Sequence, residues 1–159
     1  MAEHKHNYAY ALTVRWSGNR GHGTTGYREY DRDFVVSAPG KPEIAGSSDP
    51  EFRGDATRWN PEELLLASVS ACHKLWYLHY CAVSGVVVMA YDDHAEGTMV
   101  MEQGSPGHFT EIVLRPHITI TKGSDADVAL ELHEQSHESC FIANSVNFPV
   151  RCEPVITKA

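Results

Sequence analysis

At 159 residues, 42% of them hydrophobic, the chain has material for one ordinary globular core. Its 13 basic and 21 acidic residues leave a formal charge of -8 with no Lys/Arg cluster, which argues against a nucleic-acid partner. The N-terminal Met-Ala-Glu-His-Lys-His lacks the apolar stretch of a secretory signal, and the longest aliphatic run, Val86 to Ala90, is far too short for a membrane span, so a cytoplasmic location is expected.

The elements follow an α+β outline. From residue 8 to 16, Tyr8, Tyr10, Leu12, Val14 and Trp16 fall at every second position, the period of a half-buried strand. Turn residues Ser17-Gly18-Asn19-Arg20-Gly21 follow, and residues 27 to 36 read as further strand. Residues 37 to 57, rich in Ser, Pro, Gly and Asp, form a long connection of the kind that covers a site or acts as a lid. Next comes a well-marked helix start: Asn60 as cap, Pro61 in the first helical position and Glu63 closing a capping box. Leu64, Leu65, Leu66, Ala67, Val69, Ala71, Leu75, Trp76 and Leu78 make this helix apolar on nearly all sides, as expected of a central, buried element that ends at Gly85. Residues 86 to 101 and 109 to 121 read as two long strands joined by Gly104-Ser105-Pro106-Gly107. A second helix starts at Ser124 or Asp125 and runs to Cys140, a short turn or helix follows, and residues 150 to 157 supply a last strand. No repeat divides the chain, so residues 1-159 are expected as a single domain, with N-terminal strands and loop over 1-57 and the remaining elements over 58-159.

Cytoplasmic cysteines are more often reactive, metal-bound or packed than joined in a disulfide framework. Of the four here, Cys72 and Cys140 stand out. Cys72 lies about three turns inside its helix, beyond reach of the positive helix end, and burial among leucines opposes ionisation. A nucleophilic Cys72 therefore needs a cation from elsewhere in the fold, for which arginine suits best because it stays charged and forks two hydrogen bonds. Cys81, nine residues on, falls on the opposite helix face, and Cys152 lies in the last strand; both are expected to be packing residues.

The segment Asn60-Pro61-Glu62-Glu63-Leu64 through Ser70-Ala71-Cys72-His73 resembles the helix signature of the family of osmotically inducible protein C and organic hydroperoxide resistance proteins. His137-x-x-Cys140-x-x-x-Asn144 resembles the resolving-cysteine motif of the same family, and the order and spacing of the two motifs also fit. The resemblance implies an OsmC-like fold, with curved antiparallel sheets packed around the long central helix in an intertwined homodimer. It implies a cysteine-based peroxidase of oxidative stress defence, reducing organic hydroperoxides with Cys72 as the peroxidatic and Cys140 as the resolving thiol. Glu62 matches the glutamate that orients a catalytic arginine, although a straight helix separates it from Cys72 by about 15 Å. Arg20, in a glycine-rich turn like that of the hydroperoxide-resistance branch, is the matching arginine; Arg28 and Arg58 are the other candidates. The reductant implied is an external, lipoyl-type or other small dithiol, and no flavin or nicotinamide motif is present.

The chain departs from the pattern at Phe141, where the resistance proteins commonly carry proline, and in the longer Pro/Gly/Ser-rich connection over residues 43 to 57. An alternative keeps the fold but makes it a zinc- or ligand-binding module without turnover. His133 and His137 stand at i and i+4 with Cys140 one turn on, and Cys72 or His73 could complete a tetrahedral zinc site.

Overall fold

The structure is a computed structural model and describes residues 5-159. The chain forms two compact units, the first ending at Leu64 and the second running from Leu65 to Ala159.

In the first unit β1 (Thr13–Trp16), β2 (Phe34–Ser37) and β3 (Ile44–Gly46) make an antiparallel sheet with β2 in the middle. The alternating segment from Tyr8 becomes a strand only at Thr13, where its partner residue is Ser37, and Pro39 and Gly40 turn the chain just beyond. Tyr8, Tyr10 and Leu12 are consequently exposed instead of half-buried, and Val14 is exposed as well although it pairs with Val36. The 37 to 57 connection is less irregular than its composition implies, because it holds β3 and a 3-10 turn at Pro50–Phe52 capped by the Asp49 side chain. Gly46 ends β3 against the ring of Phe34, which leaves no room for a Cβ.

Helix α1 (Pro61–Val83) begins as its cap residues dictate. The Glu63 amide donates to Asn60 Oδ1 at 2.8 Å and the Asn60 amide to Glu63 Oε2 at 3.1 Å, so two amides without intrahelical partners are satisfied reciprocally. Gly85, at φ 75°, ends the helix in the left-handed conformation that glycine adopts without strain. Val69, His73, Tyr77 and Cys81 form its buried stripe, while Leu75 and Leu78 on another face remain 64% and 36% exposed in the single chain.

The two long strands and the last strand of the sequence reading are each broken once, which gives two three-stranded sheets. One has the order β4 (Val88–Asp93), β7 (Pro116–Ile120), β9 (Val155–Lys158); the other has β5 (Glu96–Val100), β6 (His108–Leu114), β8 (Val150–Cys152). Pro116 opens β7 and Pro154 separates β8 from β9, two residues that cannot donate to a ladder. At the same level Asp93 takes the Arg115 amide on its side chain at 2.7 Å. The hairpin pairs β4 with β7 and β5 with β6 are antiparallel, whereas β8 and β9 join β6 and β7 in parallel.

Helix α2 (Ala126–Ser139) starts at Asp125, whose carboxylate accepts from the Asp127 and Val128 amides. Tyr77, Cys81, Val86, Ile118, Ile120, Ala129 and Leu132 form one apolar cluster between α1, α2 and the first of these sheets. Val69, Ile112 and Leu114, with Phe109, Ile142 and Phe148, form a second beside the other sheet.

Candidate active site

Twelve positions past its cap, α1 presents Cys72 beside the buried stripe rather than within it, and the side chain is half-buried. Cys140 is the C-terminal cap of α2, with φ -69° and ψ 107°, so the backbone leaves the helix at this residue. Asn144 holds that exit in place: its side-chain amide donates to the Glu138 carbonyl at 2.9 Å and its backbone amide to the Cys140 carbonyl at 3.0 Å. The asparagine four residues after the cysteine thus satisfies a carbonyl that the ending helix leaves unpaired.

The two thiols, remote in sequence, lie near enough for Cys72 to act on the titration of Cys140, and both are free. Burial pushes the Cys140 thiol up to about 11, the nearby Cys72 adds to the rise, and the Ala143 amide donating to its sulfur at 3.4 Å works in the other direction. Cys140 therefore carries its proton at neutral pH, and the more accessible member of the pair is the half-buried Cys72. Cys72, Leu75, Trp76, His79 and Phe141 line an open, largely apolar groove of about 430 Å³. The Trp76 ring meets Phe141 edge-on at 5.4 Å and stacks on Tyr80 at 5.6 Å, and the Tyr80 hydroxyl is 2.6 Å from Ser139 Oγ.

Within one chain, then, an accessible thiol, an adjacent buried thiol and an apolar surface are combined. A model of the family described as OsmC-like protein matches residues 54-154. The chain belongs to the OsmC-like family.

Solved OsmC-like structures share its architecture. An OsmC-like protein of unknown function from Vibrio cholerae is similar over 94% of this chain and 100% of its own, at 27% identity and a TM-score of 0.85. An organic hydroperoxide resistance protein OsmC from Legionella pneumophila has 18% identity, covers 96% and 99% of the two chains, and has a TM-score of 0.67. An organic hydroperoxide resistance protein from Elizabethkingia anophelis, with thiocyanate bound, has 18% identity, 98% and 99% coverage and a TM-score of 0.68. No curated protein matches the chain.

The remaining site candidates of this OsmC-like chain lie in the first unit. Arg20 sits in the turn after β1, pairs with Asp31 at 3.4 Å through Nε, and donates to the Arg28 carbonyl at 2.7 Å. Asn19 braces that turn by accepting from the Gly21 and Gly23 amides. Arg28 is exposed. Arg58 is held by Asp33 at 3.2 Å and Asp55 at 3.8 Å, which opposes a pairing with Glu62. Glu62 occupies the first turn of α1, where its charge also favours the helix dipole.

The zinc arrangement read from α2 is not assembled. His133 is buried, His137 is exposed, and the non-helical backbone at Cys140 takes that residue off the common face. Among the described residues, the donors close enough to share an ion are His73, His133 and Cys152. Cys152 packs against the second apolar cluster and Cys81 is buried in the first, both as expected, and Cys152 also stands beside the two histidines.

Proposed function

We propose that the protein is a thiol-dependent peroxidase that reduces organic hydroperoxides. The nearness of Cys72 to Cys140 is the observation that carries this reading. In the first step the Cys72 thiolate attacks the terminal peroxide oxygen. The O–O bond breaks, the alkoxide leaves and takes up a proton, and Cys72 becomes a sulfenic acid. Cys140 then attacks that sulfur, and a Cys72 to Cys140 disulfide forms as water departs. An external dithiol reopens the bridge and is itself oxidised to a disulfide.

Arg20 is assigned the cation that stabilises the thiolate and the departing alkoxide, and Glu62 its orientation. Arg20 exchanges its carbonyl and Asp31 contacts for the thiolate in this scheme. The apolar groove favours alkyl hydroperoxides over hydrogen peroxide, because its Leu75, Trp76 and Phe141 side chains offer contact area but few hydrogen bonds. The similarity to the Legionella and Elizabethkingia proteins, both organic hydroperoxide resistance proteins, favours the same substrate class. The two compact units act as a single OsmC-like domain in this reading, and the domain works as a homodimer. The exposed Leu75 and Leu78 face and the unpaired alternating segment from Tyr8 support the dimer, since such surfaces are usually covered. A cytoplasmic setting fits a chain with free thiols in which no helix among the described residues is long and apolar enough to cross a membrane.

The test is hydroperoxide consumption under a dithiol such as dihydrolipoamide, with cumene hydroperoxide and hydrogen peroxide compared at equal concentration. The expected result is faster turnover of the aromatic hydroperoxide, lost in Cys72→Ser by about a thousandfold or more, as for removal of any nucleophile. Wild-type protein that consumes neither peroxide would end the reading.

A further inference from the structure

Three donors that the peroxidase chemistry does not use converge from three elements. His73 comes from α1, His133 from α2 and Cys152 from the end of β8. His73 Nε2 lies 3.0 Å from His133 Nδ1, and Cys152 Sγ lies 3.7 Å from each nitrogen. An in-line hydrogen bond joins the two near-coplanar imidazoles and leaves Cys152 Sγ beside it without a short partner. One imidazole can donate to the other, but His133 Nε2 is buried with no hydrogen-bond partner, so half of its capacity is unused in the interior.

We propose that His73, His133 and Cys152 form a binding site for a borderline-soft divalent cation, with Zn2+ the preferred occupant. The circle through atoms 3.0, 3.7 and 3.7 Å apart has a radius of about 2.0 Å. Zinc bonds to imidazole nitrogen at about 2.0 to 2.1 Å and to thiolate sulfur at about 2.3 Å, so an ion near the plane of the three donors is at bonding distance from all of them, once the His73 to His133 hydrogen bond opens and the two rings tilt toward it. The donor set is also right in kind, since two imidazoles and a thiolate suit zinc and poorly suit the oxygen-seeking Mg2+ or Ca2+.

The rings are held before an ion arrives. Those of His73 and His133 lie edge to edge within 6° of parallel, and Tyr77 stacks on His133 with centroids 3.9 Å apart. The Tyr77 hydroxyl is anchored on the Ala129 carbonyl at 2.9 Å. Burial lowers His73 to about 4 and His133 to about 3, which keeps both rings neutral at neutral pH; the ring that donates in their hydrogen bond carries its proton on its other nitrogen once the metal binds. The thiol of Cys152 gives up its proton to solvent as the sulfur to metal bond forms, so binding releases one proton and adds one net positive charge. Asp93 offsets that charge: its field acts on both His73 and Cys152, and its carboxylate is fixed by the Ser70 hydroxyl at 2.5 Å and the Arg115 amide at 2.7 Å. An ion there would tie α1 to α2 and β8. The reading does not rest on peroxidase activity, because Cys72 and Cys140 lie outside the donor set.

The test uses the whole protein, purified without a histidine tag and stripped by a chelator. Titration with Zn2+ and, separately, Co2+ should show one equivalent bound, a rise in thermal midpoint, and a near-ultraviolet sulfur-to-cobalt charge-transfer band. Cys152→Ser should remove that band and weaken zinc binding at least about tenfold, since even the outer partners of metal ligands are worth that much. Cys72→Ser should keep both. Zinc-edge X-ray absorption of the wild-type protein covers the case in which Cys152→Ser fails to fold, and should give one sulfur and two imidazole nitrogens. Two sulfurs in that shell, a cobalt band unchanged by Cys152→Ser, or no zinc retained at micromolar concentration would overturn the proposal.

Discussion

Cys140 and Cys72 are neighbours, but their surroundings divide the labour between them. Cys140 is fully buried and its thiol is raised to about 11, while Cys72 lines a groove that a peroxide can enter. In the proposed cycle the first oxidation falls on Cys72, and the resolving step waits on the small ionised fraction of Cys140. That fraction grows about tenfold per pH unit below the raised value. After a pulse of hydroperoxide, disulfide formation is therefore expected to accelerate steadily from pH 7 to 10, as followed by quenched-flow mass spectrometry. A rate flat across that range would show that Cys140 ionisation does not limit the step. The residues of this pair were legible in the sequence because each sits in its own distinctive motif. The His73, His133 and Cys152 cluster was not, because its members lie 60 and 79 positions apart and no local pattern links them. His133 was visible as a potential ligand, but helical spacing pointed to His137 and Cys140 as its companions.

Helix α1 was readable almost to the residue, since its start and stop depend on side chains adjacent in sequence: Asn60 and Glu63 at one end, Gly85 at the other. Asn60→Ala removes one arm of the capping box and should cost about 1 kcal/mol. That corresponds to a fall of about 3 °C in thermal midpoint for a chain of this size, measurable by calorimetry. No change would mean that the helix start is fixed by tertiary contacts instead. The strand breaks were harder to foresee. Pro116 and Pro154 are visible, but only three-dimensional pairing reveals that they fall level with the break at Asp93, where a side chain replaces a ladder partner. At the turn after α2, Phe141 departs from the proline usual in the resistance proteins and places its ring, 66% exposed, on the groove. If that ring holds the organic part of the substrate, Phe141→Ala loses about 1 kcal/mol of apolar contact. KM for cumene hydroperoxide then rises about fivefold while hydrogen peroxide kinetics stay unchanged. An equal loss for both peroxides would assign the ring to packing.

At the scale of the whole molecule, the single chain leaves apolar surface uncovered in each unit. Leu12 and Val14 are 63% and 60% exposed in the first, and Leu75 is 64% exposed in the second. The apolar composition of α1 suggested burial on all sides, whereas the chain alone buries only the stripe from Val69 to Cys81. A homodimer reconciles the two, and sedimentation equilibrium is expected to give twice the chain mass. Leu75→Glu, which puts a charge on that face, should shift the distribution toward monomer; a wild-type protein monomeric at tens of micromolar would refute the assembly. The central claim is narrower than any of this and concerns two sulfur atoms. Mass mapping of the wild-type protein after one equivalent of cumene hydroperoxide should find the peptides of Cys72 and Cys140 joined, with the link absent in Cys72→Ser. Overoxidised Cys72 beside an untouched Cys140 thiol would contradict the account.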